Sequence, residues 1–172
     1  GSHNPLRLAA ARSGREVLVG DTADALAEAV RQKRLHVECR ILQQLPDSAL
    51  EIRLAGSDNT VAVIAHHIAS AAGRLAARAA EASLPAEFAV PRVSAEWAAI
   101  AESCAVADAE LRKLAQLPDA QVTLNRDGQK SKRARSTILA QAVHHANEHR
   151  AQVAAALSAA GITALDLDEL DL

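Results

Sequence analysis

Ser136 to Ala160, STILAQAVHHANEHRAQVAAALSAA, is the stretch whose reading decides the fold. It is alanine-rich and unbroken by proline or glycine, so it predicts one long helix. Each helical residue advances by about 100°, which puts Ile138, Ala142, His145, His149, Gln152 and Ala156 on one side. Polar groups therefore sit within the apolar stripe. Side chains four residues apart have Cβ atoms about 5–6 Å from each other, so His145 and His149 can converge on one ion while their helix stays regular. His144 and Glu148 point to the side.

Working back from this helix, punctuation divides the chain into blocks, because every proline falls between helical stretches and only Gly73 falls inside one. Residues 4–20 are a weakly patterned lead-in. Thr22 to Leu45 follows, with Asp21 or Thr22 as N-cap and a stop at Pro46-Asp47. Leu26, Val30, Val37 and Ile41 form one stripe on it, and Leu35, Cys39 and Leu42 a second on the opposite side. A helix apolar on two sides needs two partners, which motivates a homodimer, with scattered surface leucines as the alternative.

The next block, Asn59 to Ala82, starts after Gly56-Ser57-Asp58 and buries Ile64, Ile68, Ala71 and Leu75. His67 lies at the edge of that face, whereas His66 points roughly the other way. A third block runs from Ser94, as N-cap, to Leu117. Trp97, Ile100, Cys104, Leu111 and Leu114 recur along it at heptad-like spacing, with Trp97 as a core anchor. Between the third block and the last helix, QVTLNRDGQKSKRAR (Gln121–Arg135) reads as a hairpin turning at Asp127-Gly128, with a return strand poor in apolar residues. Its basic residues, Arg126 to Arg135, suit either a solvated polar hairpin or an anionic substrate. Blocks of about 24 residues make helices of about 36 Å, matched in length as bundle helices need to be. The expected fold is an all-α four-helix bundle with a short hairpin-like insertion before the last long helix. Residues 1–3 are a tag scar, and 4–172 form a single domain.

Composition narrows the function. Of 172 residues 49% are hydrophobic, yet Trp97 and Phe88 are the only aromatics and methionine is absent, so the core must be built from small, closely packed side chains. A net charge of −2 and a pI near 6.4 give no bias toward nucleic acid or an anionic membrane. Neither an apolar run of the ~20 residues needed to span a bilayer nor a signal-peptide pattern occurs, and the expectation is a cytoplasmic protein. Cys39 and Cys104 are far apart with no C-x-x-C pairing, which reads as thiols within helices and not as a disulfide framework. Serine triads, a P-loop and a dinucleotide fingerprint are absent.

His67, His145 and His149 all project toward the space between helices. Three imidazoles form a set that leaves coordination positions open, as in catalytic sites; the competing reading is core-edge histidines satisfied by hydrogen bonds. His145-Ala-Asn-Glu148-His149 also matches the H-x-x-E-H protease signature. Only 23 residues follow it, which leaves little room for a distant third ligand, and the alanine-rich context is not that of a protease.

These residues resemble the DinB-like family, also called the DinB/YfiT-like metalloenzymes, over roughly residues 22–162. VAVIAHHIASAAGRL is similar to the family's first histidine motif, TLNRDGQK to its glycine-containing segment, and HHANEHRAQVAAALSAAGI to its H-x-x-x-H-R-G-Q motif. Arg150 and Gln152 match the polar positions of that last motif; Ala151 replaces its glycine, and the aromatics common around family pockets are missing. The resemblance implies a bundle, frequently dimeric, with a divalent metal on His67, His145 and His149, and a relationship to thiol-dependent S-transferases, isomerases and hydrolases. It implies no DNA binding.

The expected function is a divalent-metal-dependent enzyme using zinc or nickel, or iron or manganese, with a low-molecular-weight thiol as small-molecule substrate and no nucleic-acid or membrane partner. A metal ion would stabilise the thiolate, or instead lower the pKa of bound water and support hydrolysis. Gln152 would orient a ligand or a substrate, or bond structurally to a neighbouring helix. Glu148 would receive a proton or pair at the surface. The alternative from another class is a non-catalytic binding or stress-response module with a weak or empty metal site.

Overall fold

The computed structural model describes residues 42–126 and 128–162. In chain order they form a short helix α1 (Asp47–Leu50), the long helices α2 (Val61–Ala79) and α3 (Trp97–Ala115), an antiparallel hairpin of β1 (Gln121–Arg126) and β2 (Gln129–Ala134), and the longest helix, α4 (Arg135–Ala159). A 3-10 turn, Ser94–Glu96, leads into α3. The described chain is thus mostly helical with one two-stranded sheet. Of the four expected bundle helices it contains three. The block Thr22 to Leu45, with Cys39 and the two stripes that motivated a dimer, lies outside the described residues except for its last four positions.

Helix α2 is the middle of the assembly. It packs extensively against both α3 and α4, while those two touch each other little. Its sequence explains the role: Val61, Ile64, Ile68 and Leu75 are buried, and so are alanines distributed around most of its circumference. Alanine combines high helix propensity with a side chain small enough to let neighbours approach closely. From α3, Trp97, Ile100, Cys104, Leu111 and Leu114 enter the core as the spacing predicts, and α4 adds Ile138, Leu139, Val153 and Leu157.

The start of α2 differs from the sequence expectation. Gly56-Ser57-Asp58 belongs to a tight loop in which Gly56 takes φ +71°, a conformation favoured by glycine, and Arg53 and Thr60 form an antiparallel bridge. Thr60 is the N-cap, its hydroxyl accepting the Val63 N–H at 3.4 Å. Ser94 likewise does not cap α3. Its N–H donates to Asp47 Oδ1 at 2.7 Å and its hydroxyl to the Leu45 carbonyl at 2.6 Å, so it ties the 3-10 turn to the start of α1.

The hairpin is present where the Asp127-Gly128 signal places it. Val122 pairs with Arg133 and Leu124 with Ser131; Val122 is buried, whereas β2 is exposed along nearly its whole length. Its base is closed by the Arg135 N–H donating to the Ala120 carbonyl at 2.8 Å. Glu81, at φ +55° just beyond α2, accepts the Thr123 N–H at 2.7 Å and holds β1 against the end of that helix. The first turn of α4 has no capping side chain of its own, and Asp119 supplies one from before the hairpin: its carboxylate accepts the Ser136 N–H at 2.9 Å and the Ser136 hydroxyl at 2.7 Å. No described helix is long and apolar enough to cross a membrane.

Candidate metal centre

His67 comes from α2, and His145 and His149 from consecutive turns of α4. The two helices pack side by side, and one nitrogen from each imidazole falls within 4.8 Å of one from each of the other two. The ring centroids lie 4.8 Å apart for His67 and His145, 5.0 Å for His67 and His149, and 4.5 Å for His145 and His149. All three rings are half-buried. His67 Nε2 is 3.0 Å from His145 Nε2, so one of those nitrogens carries a proton shared between them.

Electrostatics favour the neutral form of His67 and His145. Burial is the largest influence holding His67 below the ordinary imidazole pKa, followed by the charges of His149, Arg74 and His66. For His145 burial again comes first, then His149 and His67; Glu148 pulls the other way without reversing the shift, and Arg74 adds slightly to it. Neutral imidazoles are what a divalent transition ion requires, since each must offer a lone pair. Three imidazoles converging from two packed helices fit that kind of ion.

Gln152 Oε1 lies 2.7 Å from His149 Nδ1. The amide oxygen accepts, so Nδ1 carries the proton and Nε2 is left as the ring's donor to an ion. Gln152 was expected within the apolar stripe, but it is exposed. Its role is visible only through this bond. His66 does not join the triad: its Nε2 donates to the Phe88 carbonyl at 2.7 Å, and its ring meets that of Phe88 edge-on at 4.9 Å. His144 and Glu148 are exposed, on the side of α4 that the helical wheel assigns them.

Two residues were overlooked as contributors. Arg74 lies two turns beyond His67 and returns to the same side of α2, a spacing that could have revealed it. Arg150, known from the sequence only as a motif match, is buried, with its pKa lowered by desolvation to about 10. One of its nitrogens donates to Asn147 Oδ1 at 3.2 Å. Arg150 falls in step with the buried Leu139, Ala142, Ala146, Val153 and Leu157 of α4, a spacing that could have revealed its burial.

A family model described as the DinB family matches residues 21–172. No curated protein and no solved structure matches the chain.

Proposed function

Because the chain belongs to the DinB family, we propose that it is a divalent-metal-dependent enzyme whose ion is held by His67, His145 and His149, and that it acts as a thiol-dependent S-transferase. The observation that carries this is the convergence of three half-buried imidazoles from two helices, two of them held toward the neutral form. Zinc or nickel suits an all-imidazole donor set best, with iron or manganese as weaker candidates. The bound ion would supply positive charge that favours the thiolate over the thiol near neutral pH.

The protein's own groups have separate tasks. Gln152 keeps His149 in the tautomer that directs Nε2 inward. Arg74 contributes positive charge near His67 and His145, which disfavours their protonation and favours an anionic reactant. Half-burial limits water around the rings and strengthens these charges. The proposal includes a cytoplasmic setting, where low-molecular-weight thiols are kept reduced.

Metal analysis of protein purified without a nickel column, beside His145→Ala, tests the first half: stoichiometric metal in the wild type and little in the variant is expected, and negligible metal in both would refute it. Turnover of thiol acceptors with glutathione, mycothiol or bacillithiol tests the second. One observation favours a rival, a binding module with a weak or empty site. His67 and His145 already satisfy each other by a hydrogen bond, so the triad can stand as a polar niche without an ion. That rival predicts no rise in melting temperature on adding metal.

A further inference from the structure

A cleft of about 440 Å³ begins at His149 and Gln152 and continues along α4 past Ala155, Ala156 and Ala159. Its opposite wall is Ile64 of α2 and the loop before that helix, from Arg53 to Asn59. The direction of the cleft follows from the packing. His67 faces His145 and His149, while Ile64, one turn nearer the start of α2, faces Ala156, nearer the end of α4, so the two helices run antiparallel. The cleft therefore leads from the triad toward the beginning of α2, and His149 to Ala159 spans about 15 Å of helix. Alanines stand where longer side chains would fill the space, and the described aromatics are elsewhere: Trp97 in the core and Phe88 on His66.

We infer that this cleft binds the second substrate of the proposed enzyme, and that this substrate is a short aliphatic carboxylate whose chain lies on the alanine wall and whose anionic end meets Arg53. The inference rests on the functional reading above for the reaction, but not for the binding. The volume lies within the ordinary range of small-molecule sites, and the wall is apolar with a few polar groups at its far end, as such sites are. Arg53 is the cationic side chain of the lining. Its Nη1 donates to the Asp58 carboxylate at 3.1 Å and to the Asp58 carbonyl at 3.3 Å, but the Asp58 side chain is fully solvent-exposed and outside the lining. Exposed pairs of this kind contribute little, so Arg53 can exchange that partner for a ligand carboxylate at small cost. Ser57 and Asn59 add hydrogen-bonding groups at the same end.

The probe is hexanoate, titrated calorimetrically into zinc-treated and into chelator-treated protein, with hexanol as its neutral counterpart. Ala155→Phe places a ring in the cleft without touching the triad and is expected to weaken hexanoate by about tenfold or more while zinc binding is retained. Arg53→Gln should weaken hexanoate by about two- to fivefold, the range expected of an exposed ion pair, yet leave hexanol unchanged. Ala159→Phe repeats the first test if Ala155→Phe does not fold, as judged by circular dichroism. Absence of hexanoate binding in the wild type, or binding that ignores both substitutions and disappears only with His145→Ala, overturns the inference. Hexanoate binding that depends on Ala155 and Arg53 in a protein that binds no zinc would uphold the cleft and refute the metal reading; zinc binding without hexanoate binding would do the reverse.

Discussion

Gln152 Oε1 and His149 Nδ1 are joined at 2.7 Å across one turn of α4, so the orientation of a candidate metal ligand is set by a neighbour on its own helix. Partners of this sort typically influence metal affinity by about 10–100-fold. Gln152→Ala should therefore weaken zinc affinity within that range, whereas Gln152→Glu, which keeps an acceptor in place, should retain most of it. Competition with a chromophoric chelator measures both. Equal affinities for all three proteins would show that the bond does not govern the ring.

His67 and His145 titrate below the ordinary imidazole value when folded, with burial as the leading cause. Between the folded and unfolded values the unfolded chain binds more protons, so stability rises with pH in that window. The metal-free protein should keep this contribution above a pH of about 6.5 and lose it progressively as the pH falls from there through the folded values. Urea denaturation in the presence of chelator, repeated across that range, reads the effect. A variant carrying His67→Asn and His145→Asn should show a shallower loss; an equal slope would assign it to other groups.

Asp119→Ala should destabilise the protein by about 1 kcal/mol, the usual effect of losing a helix cap, and toward the smaller end because the site is exposed. Burial alone would raise the Asp119 pKa, but hydrogen bonds from Ser136 and Ala120 and the charge of Arg135 outweigh it and hold the carboxyl below its ordinary value. Its contribution is thus complete above the unfolded carboxylate pKa and disappears as the pH falls through the folded one. Asp119→Asn keeps an acceptor oxygen and should lose less at neutral pH while removing that acid dependence. Thermal denaturation at neutral and acidic pH distinguishes the two variants.

His66→Ala should loosen the segment around Phe88, costing about 1–2 kcal/mol through the lost hydrogen bond and ring contact. Zinc stoichiometry should not change, because His66 is engaged with Phe88 and not with the triad. Limited proteolysis near Phe88 together with metal analysis checks both halves. Loss of metal from this variant would bring His66 back as a ligand.

The triad was legible in the sequence because its signal is local. His145 and His149 are one turn apart, and His67 lies on the edge of a well-marked apolar face. Helix α4 begins and ends within one residue of its expected limits for the same reason. What escaped depends on partners distant in sequence. Ser94 reads as a cap until Asp47 and Leu45 are brought to it, and Asp119 caps a helix 17 residues away around the hairpin. Gly56-Ser57-Asp58 looks like a helix start by composition, yet the bridge between Arg53 and Thr60 uses those residues to turn. Gln152 follows the helical period but faces a cleft, and periodicity alone does not distinguish an apolar wall that is covered from one that is open.

The closed base of the hairpin makes the protein separable along its chain. Ala120 and Arg135 are already joined by a backbone hydrogen bond of 2.8 Å, so the intervening strands leave the helical framework and return to the same place. At the far end, a side chain added at Gly128 would meet no atom within 4 Å, and only its φ of +81° favours glycine there. The tip of this excursion can thus vary in length without changing the path by which α3 is followed by α4, whereas Val122, buried in the core, and Thr123, bonded to Glu81, tie β1 to α2 and must be kept.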